Sequence, residues 1–237
     1  MHRAQRLIAR LLRHPDDRST GKIVNHLINE FWSGYPATAL RPLLHSDDVN
    51  IQQAALFILG ELGHKARSLR DELPHFLAHP MPYAKVKAIE AALVATVGDP
   101  EDGPIVASAL ALLDDPNESV RQRAVWLLLA ATEPQLRSAL NFLDAVAGGS
   151  PHGSALQWLL SGPNADEMIL RLRAPSRLER LYALAAARRI ADFDPEPLRQ
   201  AHTASDEELR SCAELADQVC EALAAIRRRE CRSTPKA

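Results

Sequence analysis

Aromatic residues make up only 5% of this 237-residue chain, although hydrophobic residues reach 46%. Alanine and leucine supply most of that apolar content, which disfavours a β-sandwich and favours helices packed through small side chains. Charge of one sign is also lacking. The 28 basic and 30 acidic residues leave a formal charge of −2, so no global electrostatic drive toward nucleic acid or a membrane exists. Residues 1–37 sum to +3, residues 38–132 to −4 and residues 133–237 to −1, which sets a mildly acidic stretch in the middle.

Cysteines are few and confined to one end. Cys212 and Cys220 are eight positions apart on one predicted helix, roughly 12 Å by helical rise, which is too far for a disulfide. A reducing compartment is expected. No segment approaches the roughly 18 uninterrupted apolar residues of a membrane span. The opening stretch, MHRAQRLIARLLRHPDD, breaks its apolar residues with arginines and so has no signal-peptide core. A soluble, cytoplasmic protein is the expectation.

A repeat is present. The clearest copy is LLDDPNESVRQRAVWLLLA, from Leu112 to Ala130, in which a helix end, an Asp-Pro turn and a second amphipathic helix follow one another. The segment from Leu43 aligns beneath it without a gap, setting Ile51 on Val120, Gln52 on Arg121, Ala55 on Ala124 and Leu59 on Leu128. The segment from Phe76 puts Ala84, Lys85 and Ala88 in the same columns, at spacings of 33 and then 36 residues. Fainter copies start at Leu11 and Phe142, and two more near Leu170 and Ala201. In these last two, Leu178-Glu179 with Tyr182 and Leu209-Arg210 with Ala213 are assigned to the Val-Arg and Ala columns. The average period is about 32 residues. Two amphipathic helices per unit cannot cover their apolar faces alone, so neighbouring units must stack.

These residues resemble the HEAT-repeat pattern: a first helix ending in Leu-Leu, an Asp-Pro turn, and a second helix opening with Val-Arg. The resemblance is strongest over residues 40–132. It implies an all-α, right-handed α-α superhelix of about seven helical hairpins. One domain over 1–230 is expected, with repeats near 5–36, 37–70, 71–98, 102–132, 134–162, 165–192 and 195–228, and then a basic tail, 229–237. The Arg column varies to Gln52, Lys85, Pro151 and Glu179, so a ladder of Asp-Arg pairs along the turns must be broken in places.

In HEAT-like stacks the second helices line the concave face. One outward column reads Asn25, Phe57, Glu90 and Trp126, with Gln53 and Gln122 four residues before theirs, Asn29 and Glu61 one turn after, and Trp32 close by. Aromatics with amides and carboxylates form the kind of surface that binds protein, here a basic one. Packing of Phe57 and Trp126 between adjacent repeats is the competing assignment, since a large aromatic on a helix more often belongs to the core.

Candidate chemistry is sparse. His75 and His79 share a helical spacing but lack a third ligand, and Pro80 follows at once. Ser150 and His152 in GGSPHG fit neither a nucleophile elbow nor a phosphate loop, and fall at an inter-helix turn. Lys22 lacks the upstream glycine of a phosphate loop. The pairs Asp16-Asp17, Asp47-Asp48 and Asp114-Asp115 recur before second helices, where acids satisfy free amides. Arg227, Arg228, Arg229 and Arg232 suit the end of a last helix. No catalytic residue, metal or cofactor is expected.

A non-enzymatic protein-binding module follows, and its compact Ala/Arg-rich composition resembles bacterial immunity proteins that neutralise a cognate toxin. Two alternatives stand beside it: a HEAT-like DNA-binding alkylpurine glycosylase, which needs a basic groove and a catalytic carboxylate, and an adaptor, scaffold or bilin-lyase-like protein.

Overall fold

The computed structural model describes residues 2–14, 20–146 and 149–233, with side chains as far as residue 222. Among these residues there are fourteen α-helices and no strand. They pair in chain order: α1 (Arg3–Arg13) with α2 (Thr20–Trp32), α3 (Arg41–Leu44) with α4 (Val49–Glu61), α5 (Leu73–Leu77) with α6 (Pro82–Ala95), α7 (Gly103–Ala111) with α8 (Glu118–Ala130), α9 (Glu133–Val146) with α10 (Pro151–Leu160), α11 (Ala165–Leu172) with α12 (Arg177–Ile190), and α13 (Glu196–His202) with α14 (Glu207–Ser233). Short 3-10 turns precede α3, α5, α7 and α8. The molecule is an all-α solenoid. No helix among the described residues is long and apolar enough to cross a membrane.

Turn chemistry sets where five of the second helices start. Asp48 caps α4 by accepting from the amides of Asn50 and Ile51, Asn117 caps α8 through Val120, Ser150 caps α10 through Gly153, and Ser176 caps α12 through Glu179. Asp206 accepts from the Leu209 amide at the start of α14. The recurrent acids are therefore turn chemistry at Asp48 and Asp115, while Asp16 and Asp17 lie outside the described residues. Seven residues after the caps Asp48, Asn117, Ser176 and Asp206 stand Ala55, Ala124, Ala183 and Ala213, and the same distance into α6 stands Ala88; all five are fully buried, whereas α10 carries the exposed Gln157 there. A methyl group at this position lets successive second helices approach closely.

The caps also correct the column register in the later repeats. Four residues past the cap come Gln52, Lys85, Arg121, Ser154, Arg180 and Arg210, so Arg180 replaces Glu179 in the Arg column, Ser154 replaces Pro151, and Ala183 replaces Tyr182 in the Ala column. Arg121, Arg180 and Arg210 each turn a guanidinium back onto carbonyls of their own inter-helix turn: those of Asp115 and Pro116, of Ala174 and Pro175, and of Ala204. Ionic links to the next turn exist where Lys85 meets Asp115 at 2.6 Å and Arg180 meets Asp206 at 2.7 Å. Gln52, uncharged, bonds the Leu44 carbonyl of its own repeat instead.

The stack is regular through α4, α6 and α8 and then changes. On its far side α8 packs against α12 and α14, while α10 packs on α9 and α12. Two arginines of α12 hold this arrangement. Arg177 donates to the Leu113 carbonyl just before α8, and the half-buried Arg189 donates to the Leu128 and Ala131 carbonyls at its end. Such carbonyls have no partner within the helix, so a guanidinium from a neighbour completes them. Earlier in the chain, α9 lies against α7 with Gly103 facing the Ser138 carbonyl, where a Cβ would stand 2.5 Å away. Gln135 reaches from α9 to the Leu93 and Thr96 carbonyls at the end of α6.

Candidate protein-binding groove

The second helices α2, α4, α6 and α8 carry the residues assigned from sequence. Asn25, Gln53 and Phe57 come together: with Gly21, Asn50 and Tyr83 they line a shallow depression of about 450 Å³ across α2, α4 and α6. Phe57 is 37% exposed and so is not packed away between repeats. Asn29 is exposed on α2, one helical turn beyond Asn25. Trp126 is half-buried and leans on the core.

Charged side chains join these rings into a belt. The Lys87 ammonium lies 5.5 Å from the Phe57 ring centre and 6.0 Å from that of Tyr83, within cation–π range. Lys87 is paired with Glu90 at 2.7 Å, Glu90 with Arg123 at 3.2 Å, and the Arg123 guanidinium stands 6.0 Å from the Trp126 ring. The order Phe57, Lys87, Glu90, Arg123, Trp126 thus runs across α4, α6 and α8. Glu90 is answered by two cations, which leaves the exposed Glu61 as the groove's other acid from the sequence assignment. Burial raises the Tyr83 phenol above its ordinary value; Lys87 opposes the shift and Glu90 adds to it.

Three assigned residues stand apart. The Trp32 indole donates to the Glu61 carbonyl at 3.2 Å and meets His64 edge-on, with Gly63, in the left-handed region at φ 55°, beneath its ring. It closes the end of α4 rather than the depression. Glu61 contributes its backbone oxygen there, while its side chain is exposed. Gln122 bonds Glu118 and lines a different cleft, toward α14. Tyr83 was missed from sequence because it opens α6 two residues after the turn, ahead of the outward columns. Its aromatic type beside Pro82 was the available signal.

The declined motifs also have places. His79 accepts from the Met81 amide at 3.2 Å, and its ring sits 5.9 Å from that of His75. Burial, then the neighbouring His75, lowers the His79 pKa. No group of three potential ligands among the described residues could hold a metal ion. Ser150 serves as the cap of α10, and His152 faces Asp114 at 3.3 Å and the Tyr182 hydroxyl at 3.4 Å. Gly148 and the side chains of Arg227, Arg228, Arg229 and Arg232 lie outside the described residues. Cys212 and Cys220 are free thiols.

Comparison with known proteins places residues 37–129 within the model of a family described as HEAT repeats. The archaeal HEAT-like repeats protein from Thermococcus onnurineus NA1 is similar in structure, with a TM-score of 0.50 at 16% identity over 92% of this chain and 98% of that one. The crystal structure of an engineered protein is also similar, with a TM-score of 0.46 at 16% identity over 94% of this chain and 98% of that one. No curated protein matches the chain.

Proposed function

The chain is a HEAT-like repeat protein, and from that premise we propose that it binds another protein along the face of α2, α4, α6 and α8, acting as an immunity protein that neutralises a cognate toxin in the cytoplasm. The observation that carries the binding reading is Phe57, a large apolar ring left 37% exposed over a depression edged by the amides of Asn25, Asn50 and Gln53. A rigid aromatic supplies contact area at low entropic cost, and the primary amides around it both donate and accept, fixing the register of whatever docks. Trp126 extends the contact through Lys87, Glu90 and Arg123.

The mechanism is occlusion. A toxin surface seated against Phe57, Tyr83 and Trp126 is denied to its own substrate, and no bond is made or broken by this chain. The duplex-DNA reading draws no support from this belt, because Lys87 and Arg123 already answer Glu90 and Lys85 answers Asp115. An adaptor would use the same surface with a different partner.

The test is co-expression and co-purification with the product of the neighbouring reading frame, together with rescue of growth when that product is toxic. A stable complex and rescue, both weakened by Phe57→Ala, support the proposal. A purified mixture that forms no complex overturns the immunity reading, and a low-salt shift of duplex DNA would revive the nucleic-acid one.

A further inference from the structure

Phe193 is the most exposed of the large apolar side chains among the described residues, at 92%. It stands in the loop between α12 and α13, and an apolar pocket of about 260 Å³ opens beside it, where the ends of α10 and α12 meet α11. We propose that a second copy of this chain docks on this edge, each copy placing its Phe193 ring in the pocket of the other.

Topology puts both features on one side of the stack. Consecutive helices run in opposite directions, so the α10–α11 and α12–α13 connections fall on the same edge, the first at the pocket and the second carrying Phe193. Helical phase agrees. Ala186 and Ile190 line the pocket, and Phe193 follows them at a spacing of four and then three residues, which is one helical stripe. The amides of Phe193 and Asp194 both bond the Ile190 carbonyl at 2.8 Å, so the chain continues the turn of α12 up to the ring. The ring nonetheless stands in solvent and leaves its own pocket open. A knob and a hole side by side on one surface are complementary to themselves about a twofold axis, because the rotation that brings one knob to the partner's hole brings the partner's knob back. Leu159, Leu160, Met168, Ala186 and Ile190 make the pocket wall apolar. Dry apolar cavities of about 150 Å³ already take up a benzene ring, so one phenyl group fits.

Charge favours the same pairing. Of the charged groups lining the pocket, Glu133 is bonded twice by Arg137, at 2.7 and 2.8 Å, while Arg189 donates only to the neutral carbonyls of Ala185, Leu128 and Ala131. With Arg137 counted, the pocket keeps one positive charge. Asp192 and Asp194 flank the ring. Asp192 makes no hydrogen bond or ion pair among the described residues, and Asp194 accepts the Glu196 amide through Oδ1. Glu196 is paired with Arg199 at 2.8 Å, and Arg188 stands one turn ahead of Asp192, so the tip keeps one negative charge. An acid-flanked aromatic therefore meets an apolar pocket of opposite net charge, and it does so twice in a symmetric pair. The edge is remote from the Phe57 depression on α2, α4 and α6.

Sedimentation velocity of the full chain over about 5–500 µM tests the proposal, since a self-associating chain gains mass with concentration. The mass is expected to rise to that of a dimer and stop there. Phe193→Ser, a change at an exposed side chain, should weaken association about tenfold or more, as loss of an interface anchor does, with the melting temperature unchanged. A capped peptide of residues 191–195, Ala-Asp-Phe-Asp-Pro, should dissociate the dimer by filling the pocket, and the same peptide with alanine in place of phenylalanine should not. Phe57→Ala should leave association as it is. A chain that stays monomeric throughout, a Phe193→Ser chain that dimerises as well as the unaltered one, a dimer indifferent to the phenylalanine peptide, or a dimer lost in Phe57→Ala would each overturn the assignment. Growth into a ladder of larger species would overturn it as well, because a twofold contact closes at two copies.

Discussion

Gly103 is the residue on which the approach of α7 to α9 depends. A methyl group there would stand 2.5 Å from the Ser138 carbonyl, a backbone atom that cannot move without shifting α9. Gly103→Ala is expected to cost about 1–3 kcal/mol, as overpacking does, and to lower the Tm by several degrees in thermal denaturation. Charged residues set the acid limit of stability. At Asp115, burial opposes ionisation, but the hydrogen bonds from Lys85 and the Asn117 amide and the charges of Lys85 and Arg121 outweigh it, leaving the pKa below its ordinary value. Arg177 does the same to Glu208 against a smaller effect of burial. A carboxyl whose pKa is lowered by folding stabilises the fold above its ordinary range and loses that contribution as the pH falls through the lowered value. Urea denaturation should therefore show stability falling below about pH 4. Lys85→Met should be less stable at pH 7 and lose less on acidification. An equal pH dependence in the two proteins would show that the Lys85–Asp115 pair is not responsible.

At the scale of elements, the periodicity of the sequence locates the helices well and their register less well. Asp48, Asn117, Ser150, Ser176 and Asp206 fix the first turns, and in the middle repeats the aligned columns coincide with these caps. In α12 the alignment slips by one residue because Leu178 mimics the apolar position of the motif, whereas the cap at Ser176 puts Arg180 over the turn carbonyls. A hydrophobic side chain can serve two registers of an amphipathic helix, but a capping bond can serve only one. The second helix of that hairpin also supplies the clamp on α8. Arg189, whose pKa burial and then Arg188 lower to about 10, gives two hydrogen bonds to the end of α8. Arg189→Ala orphans those carbonyls and is expected to cost about 1.5–3 kcal/mol. Hydrogen exchange should report the loss as faster exchange within 118–131, with 49–61 unaffected. Uniform acceleration along the chain would mean that α12 does not act on α8 locally.

For the whole molecule, the prediction concerns the Phe57 face. Phe57→Ala should weaken binding of the proposed protein partner by about tenfold or more, as truncation of an interface anchor does, while thermal unfolding shifts little because the ring is already partly in solvent. Surface plasmon resonance with the purified partner, beside a melting curve, separates these effects. Amphipathic period, the Ala column and polar turns made the hairpin stack legible in sequence, because each is a local feature carried within a single repeat and recurring in most of them. The groove was legible in part: Asn25, Gln53 and Phe57 share one depression, since they recur in register on consecutive helices. Trp32, Gln122 and Tyr83 were not separable that way, because their places depend on where neighbouring elements end. Sequence by itself determined that this chain is a stack of helical hairpins with turns capped by short polar residues. Tertiary structure alone decided that α12 and α14 lie against α8, that Lys87 and Arg123 neutralise Glu90, and that a separate cleft opens beside α14. These outcomes rest on contacts between residues tens of positions apart, which no repeating pattern encodes.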